Sequence, residues 1–172
     1  MTRLTIPVND QDHMQGPRSA AVTLVEYGDY ECPYCGEAYP VLKAVKNAMG
    51  DDLCFVFRNF PLADMHPHAV RAAEFAETAA NHGLFWQAHD LLYENQQSLT
   101  ENDLRRYGER LGIPFAEVGR DVASRFDRKI ENDFEGGLRS GVNGTPTLFI
   151  NGLIYNGPRD TETLIAVLRQ ME

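Results

Sequence analysis

The chain has 172 residues, 43% hydrophobic and 24% charged, enough for one globular domain whose core needs no staples. Its net charge of -9 argues against nucleic acid or an anionic membrane surface as the main partner, since both need a basic face. Three cysteines are too few for a disulfide scaffold or an all-cysteine zinc site, and no apolar run approaches the roughly 18 residues of a spanning helix.

Residues 1–21 hold Pro7, Gly16 and Pro17, show no periodicity, and read as a loose N-terminal arm. Asn9 to Asp12 are polar where a signal peptide would carry its apolar region, so the expectation is a cytoplasmic or already processed chain. Val22 to Tyr27 is a β-favouring run that reads as a buried strand. Gly28 and Asp29 end it. From Pro33 the period changes: Ala38, Val41, Leu42, Val45 and Ala48 form one apolar stripe of a helix. Pro33 suits its first turn, Pro40 should kink it, and Gly50 suits its end. Leu53 to Phe57 reads as a second strand. This β-α-β order favours parallel strands and a right-handed crossover.

Residues 65–140 read as helical. Ala69, Ala72, Ala73, Ala76 and Ala80 make one stripe, and Phe85, Ala88, His89 and Leu92 another. Thr100 with Asp103 has the form of an N-cap with an acidic third residue. Pro114 is expected to restart a helix through Phe115, Val118 and Val122, and Phe126, Ile130 and Phe134 follow on the next. After Gly144-Thr145-Pro146 the strand pattern returns. Thr147 to Ile150 and Leu153 to Tyr155 flank Asn151-Gly152, a strong hairpin signal. Asp160 can cap a last helix carrying Leu164, Val167, Leu168 and Met171. The order is βαβ, a helical block, then ββα. Residues 22–62 and 141–172 thus form one α/β unit, with 63–140 inserted.

Cys32-Pro33-Tyr34-Cys35 falls at the strand-to-helix junction. A cysteine at a helix N-terminus meets unsatisfied backbone N–H groups and the positive end of the macrodipole, both favouring a thiolate. Cys35 lies within the first turn, in reach of the first sulfur. The pair can therefore attack a disulfide and resolve the mixed disulfide that forms. Two alternatives stand beside redox chemistry. A static disulfide would gain little chain entropy from so short a loop. Half of a zinc site would need two more ligands, and Cys54, His66, His68, His82 and His89 form neither a second C-x-x-C nor an H-x3–5-H pair.

Glu26 to Cys35, Gly144-Thr145-Pro146-Thr147 and the helical block together resemble a DsbA-like member of the thioredoxin superfamily, over roughly residues 16–172. Val22–Gly36, Phe55 to Leu62 and Gly144–Gly152 are similar to stretches of cytosolic and antiporter-fused DsbA-like thioredoxin domains. The resemblance implies a thioredoxin fold with an inserted helical subdomain, and thiol–disulfide exchange with protein or small disulfide substrates and an unknown redox partner. It implies Cys32 as exposed nucleophile, Cys35 as buried resolving thiol, and Glu26 as the buried acid that takes the Cys35 proton. Pro146 is implied as a cis-proline facing the dithiol. Pro33, Tyr34, Thr145 and Pro146 would contact substrate, the Thr145 backbone pairing with it as an added strand. No metal or organic cofactor is implied.

The pattern departs from the most oxidising members at Tyr34, where they carry histidine. Asp29, Glu31 and Glu37 surround Cys32 in sequence, and nearby negative charge disfavours a thiolate. The expectation is a moderately lowered Cys32 pKa and a less oxidising couple. A cytosolic poise of about -220 to -320 mV then favours reduction of substrates over net oxidation. Competing readings are a chaperone-like peptide-binding module and a regulatory redox domain of a larger, transporter assembly. Cys54 reads as a buried small hydrophobe, and His89 as a packed or hydrogen-bonded core residue.

Overall fold

The computed structural model describes all 172 residues, and it is built outward from β2, Val22–Gly28. That strand is buried along nearly its whole length, as expected of a run of Val, Leu and Tyr flanked on both edges. It runs parallel to β3, Leu53–Asn59, and antiparallel to β4, Thr147–Ile150. The connection from β2 to β3 is α1, Pro33–Met49, with Pro33 at its start and Pro40 inside it. With β1, His13–Gln15, and β5, Leu153–Tyr155, the mixed sheet has the order β1-β3-β2-β4-β5.

Between β3 and β4 stand six helices: α2 Ala69–Ala80, α3 Phe85–Glu94, α4 Glu101–Arg110, α5 Phe115–Val118, α6 Arg120–Ala123 and α7 Asp127–Arg139. The last helix, α8, Thr161–Gln170, is capped by Asp160, whose carboxylate accepts from the Thr163 N–H. The main core joins α1, α2, α3 and α8 to one face of the sheet, through Leu24, Phe55, Leu42, Phe75, Leu92 and Leu168 among others. A smaller apolar cluster covers the opposite face, with Val25, Cys54, Val56 and Phe149.

Two expectations are corrected here. The N-terminal arm is not loose. β1 pairs with β3, and the Leu4 N–H donates to the Gly152 carbonyl at 2.8 Å. Buried Arg58 is the anchor. Its guanidinium makes a two-pronged pair with Asp12 at 2.8 and 2.9 Å, and donates to the carbonyls of Ile6 and Pro7 and to the Tyr27 hydroxyl. All five donors of that side chain are used. The stretch from Pro114 to Val122 is not one helix either. Gly119 is extended, with φ -61° and ψ 147°, and separates α5 from α6. Phe115 is 68% exposed rather than in the core, with the Arg105 guanidinium 4.8 Å from its ring centre.

The hairpin between β4 and β5 turns on Asn151 and Gly152, both at positive φ, 48° and 81°. A Cβ at 152 would meet nothing within 4 Å. The cost of Gly152→Ala is therefore conformational alone, about 1–2 kcal/mol. Urea denaturation of the variant should read that loss, and unchanged stability would sink the assignment.

Candidate functional site

Cys32 is the N-cap of α1, itself extended at φ -70° and ψ 123°, and no side chain caps the helix. Its N–H donates to the Asp29 carbonyl at 3.1 Å, and its carbonyl accepts from the Gly36 N–H at 3.0 Å. The helix therefore begins with its free N–H groups around the first sulfur. Across from it lies the loop before β4, where the Thr145–Pro146 peptide is cis. In the thiol form the Cys32 S–H donates to the Thr145 carbonyl at 3.5 Å. All three cysteines are free thiols.

Cys32 differs from an exposed nucleophile: only 3% of its surface is accessible. Its sulfur is turned inward toward the Thr145 carbonyl rather than outward. Pro33 and Tyr34, between the two cysteines, are the exposed members of the motif, Tyr34 at 63%. Cys35 is fully buried in the main core.

The two thiols are driven in opposite directions. Cys32 is lowered to about 5. The largest cause is a hydrogen bond from the Cys35 thiol. Partial burial opposes it, and the Thr145 side chain and the backbone N–H groups of Cys35 and Tyr34 add to the lowering. Cys35 is pushed well above an ordinary thiol by burial first, then by its bond to Cys32 and by the charge of Glu26. At neutral pH the pair holds one thiolate and one thiol.

Asp29, Glu31 and Glu37 do not temper the thiolate as their sequence positions suggest, because their carboxylates are engaged or turned elsewhere. Asp29 accepts from the N–H groups of Glu31 and Leu62 and lies 2.7 Å from His66 Nδ1. Glu31 accepts from the His68 N–H. Glu37 is exposed. Sequence adjacency gave their distance along the chain, not their direction.

The Thr145 hydroxyl is buried without a hydrogen-bond partner of its own, so its proton is free to turn to the sulfur once that is charged. Thr145→Val should raise the Cys32 pKa by roughly half a unit to one unit. Thiolate absorbance against pH measures this, and a lowered or unchanged value would refute it.

Glu26 occupies the centre of β2, opposite Phe57 on one side and Leu148 on the other. It is 2% exposed, and its Oε2 has no partner. Burial raises its pKa to about 8, opposed by the charges of Lys46 and Arg159 and reinforced by that of Cys32. The acid is thus mostly protonated at neutral pH, within the electrostatic reach of both cysteines.

Several residues around the site carry no signal in the sequence. Lys46 reaches Gln15 Oε1 at 2.8 Å and stacks over Phe55 and Trp86. Arg159 donates to the Pro146 carbonyl at 3.2 Å. The Tyr93 hydroxyl is buried without a partner, and the charges of Cys35 and Glu26 help push its pKa up, after burial itself. Each reaches the site through the fold, so neither period nor spacing could mark it. His89 is buried and bonds the Tyr30 hydroxyl through Nδ1 at 3.0 Å. Burial pushes its pKa well down, which keeps it neutral. No group of three His, Cys, Asp or Glu side chains gathers where it could hold a metal ion.

The thioredoxin family model matches residues 8–170. Among curated relatives, the chain is 45% identical to Na(+)/H(+) antiporter NhaA 3 of Salinispora tropica over 96% of its length, which is 26% of that protein. It is 39% identical to Na(+)/H(+) antiporter NhaA 1 of Mycolicibacterium vanbaalenii, again over 96% of the chain and 28% of the relative. The chain thus spans about a quarter of the length of these relatives. Among solved structures, BdbD of Bacillus subtilis superposes with a TM-score of 0.86 at 20% identity, covering 99% of this chain and 97% of that one. The thiol-disulfide exchange protein α-DsbA2 of Wolbachia pipientis gives 0.82 at 20% identity, over 95% and 89%. A thioredoxin-like oxidoreductase of Silicibacter pomeroyi gives 0.82 at 23%, over 94% and 92%.

Proposed function

The chain belongs to the thioredoxin family, and from that membership we propose that it is a thiol–disulfide oxidoreductase acting through Cys32 and Cys35. The observation that carries the reading is the placement of Cys32 at the N-terminus of α1, against the carbonyl of the cis Thr145–Pro146 peptide, with Cys35 buried one turn on; the opposed pKa shifts of the two thiols accord with it. Against a disulfide substrate, the Cys32 thiolate attacks one sulfur. The substrate S–S bond breaks, its other sulfur leaves as a thiolate and takes a proton from water, and a mixed disulfide forms. Cys35 then attacks Cys32, its proton passing to Glu26. The second substrate sulfur leaves, and two electrons have moved from the dithiol to the substrate.

Glu26 suits its part for an electrostatic reason. The Cys32 charge helps hold its proton on. When that charge is consumed in the mixed disulfide, the Glu26 pKa falls and the carboxylate becomes available as a base. Exposed Tyr34 and the Thr145–Pro146 loop flank the place where substrate docks.

The natural direction in this reading is reduction or repair of protein or small disulfides in the cytoplasm. Insulin reduction by the wild type against Cys32→Ser tests the activity, and equal rates would end the proposal. Equilibration of the dithiol with a glutathione series tests the direction, and a potential well above about -150 mV would favour an oxidant instead. A second reading, a redox module of a longer transporter, is favoured by the antiporter names of relatives of which this chain spans a quarter. It predicts a transporter chain captured on Cys32 in Cys35→Ser.

A further inference from the structure

Between α3 and α4 the chain passes over the first turn of α1, and Gln96 reaches down to it. Its Nε2 donates to the carbonyl oxygens of Tyr30 and Cys32, both at 2.9 Å. A side-chain amide nitrogen has two hydrogens, so both are used, one on the carbonyl two residues before the first cysteine and one on the carbonyl of that cysteine itself. Position 36 is where this amide comes to rest. A Cβ there would collide with it, lying 2.7 Å from Gln96 Cδ, and the three atoms nearest to it all belong to the end of that one side chain. Gly36 sits inside α1 without a positive φ. The backbone does not require glycine at this point, but the amide of Gln96 does.

We propose that Gln96, seated on Gly36, is a positioning residue that sets the reactivity of Cys32 by holding the backbone carbonyls of Tyr30 and of Cys32 itself. Pro33 has no N–H, so few bonds fix this turn. The other anchors are Glu31 N–H to the Asp29 carboxylate, Cys32 N–H to the Asp29 carbonyl and Gly36 N–H to the Cys32 carbonyl. The N–H groups of Tyr34 and Cys35 stabilise the thiolate only while they point at the sulfur. The Cys32 carbonyl orients the peptide group that leads into them. Through Gln96, the inserted helical block holds the redox turn that the sheet and α1 present.

The inference rests on the reading of Cys32 as the nucleophile, and two variants test it separately from that reading. Gln96→Met keeps the length and removes both donors. Gly36→Ala leaves Gln96 intact but takes its seat, while alanine favours the helix more than glycine does. Each should raise the Cys32 pKa, read by thiolate absorbance, by roughly half a unit to one unit, a three- to tenfold fall in the thiolate-to-thiol ratio at fixed pH. Each should also make the dithiol more reducing against glutathione at neutral pH, because the reduced form loses part of the stabilisation its thiolate supplies above the Cys32 pKa. Gly36→Ala gains helix propensity as it loses the two amide bonds, so it should melt close to the wild-type temperature, which separates the shift from general loosening. The double variant should shift no further than either single one, since both remove the same contact. Wild-type titration in either single variant, or additive shifts in the double, would overturn the proposal. A wild-type Cys32 that titrates near an ordinary thiol would instead overturn the reading of the site, and this inference with it.

Discussion

Glu26→Gln should gain stability over the wild type as pH rises, with the difference between them growing by about 3 kcal/mol from pH 5.5 to 8.5. The sign follows from proton counting. In the folded chain Glu26 holds its proton up to about pH 8, against 4.5 for an ordinary glutamate. Between those values the folded state binds more protons than the unfolded one, so raising the pH destabilises the fold. Stability contributed by the neutral acid is fully present below 4.5 and is lost by about 8. Cys32 works the other way: its pKa is lowered on folding, so it adds stability as pH rises above about 5. The two opposing contributions flatten the wild-type profile, and the variant exposes the cysteine's part as a rising curve. Urea denaturation at both pH values measures the difference. A difference that stays constant with pH would show that Glu26 titrates as an ordinary carboxylate.

Cys35→Ser should accumulate a mixed disulfide through Cys32. In the proposed mechanism resolution is intramolecular, by a thiol one helical turn away; removing it leaves only solution thiols. Release should slow on the order of a hundredfold or more. Acid quenching followed by mass spectrometry of the intact protein with a cysteine-containing peptide disulfide gives the adduct directly. Cys32→Ser should give none. Equal adduct in the two variants would place the nucleophile elsewhere. Cys32→Ser/Cys35→Ser should be inert to the same peptide, with Cys54 remaining as its one buried thiol.

Much of this arrangement is legible in the sequence because it rests on short-range signals. The β2–α1 junction is written in Val22 to Tyr27 followed by Pro33, and the β4–β5 hairpin in Asn151-Gly152. What escaped rests on single long-range contacts. Nothing in residues 1–21 shows periodicity, yet Arg58, bonded to Asp12 and to the carbonyls of Ile6 and Pro7, a Leu4 backbone bond to Gly152 and a three-residue strand hold them to the sheet. Gly119 breaks the helix after Pro114, where apolar spacing alone suggests continuity. At the site, residue types pointed to Cys32, Cys35 and Glu26, but not to their surroundings. The carboxylates of Asp29 and Glu31 are bonded away from Cys32, and Gln96 arrives from far along the chain. Direction and burial are properties of the assembled fold.

The placement of Cys54 has a practical consequence. Three thiols allow three pairings in an oxidised chain, and isomers that differ in pairing are a common source of mixed, misfolded product. Here Cys32 and Cys35 pack on one face of the sheet and Cys54 on the other. The sheet acts as a partition that leaves one intramolecular bridge open. Under the proposed function, oxidation of the folded chain is a reversible toggle between two species, with the third sulfur kept out of the exchange by the sheet.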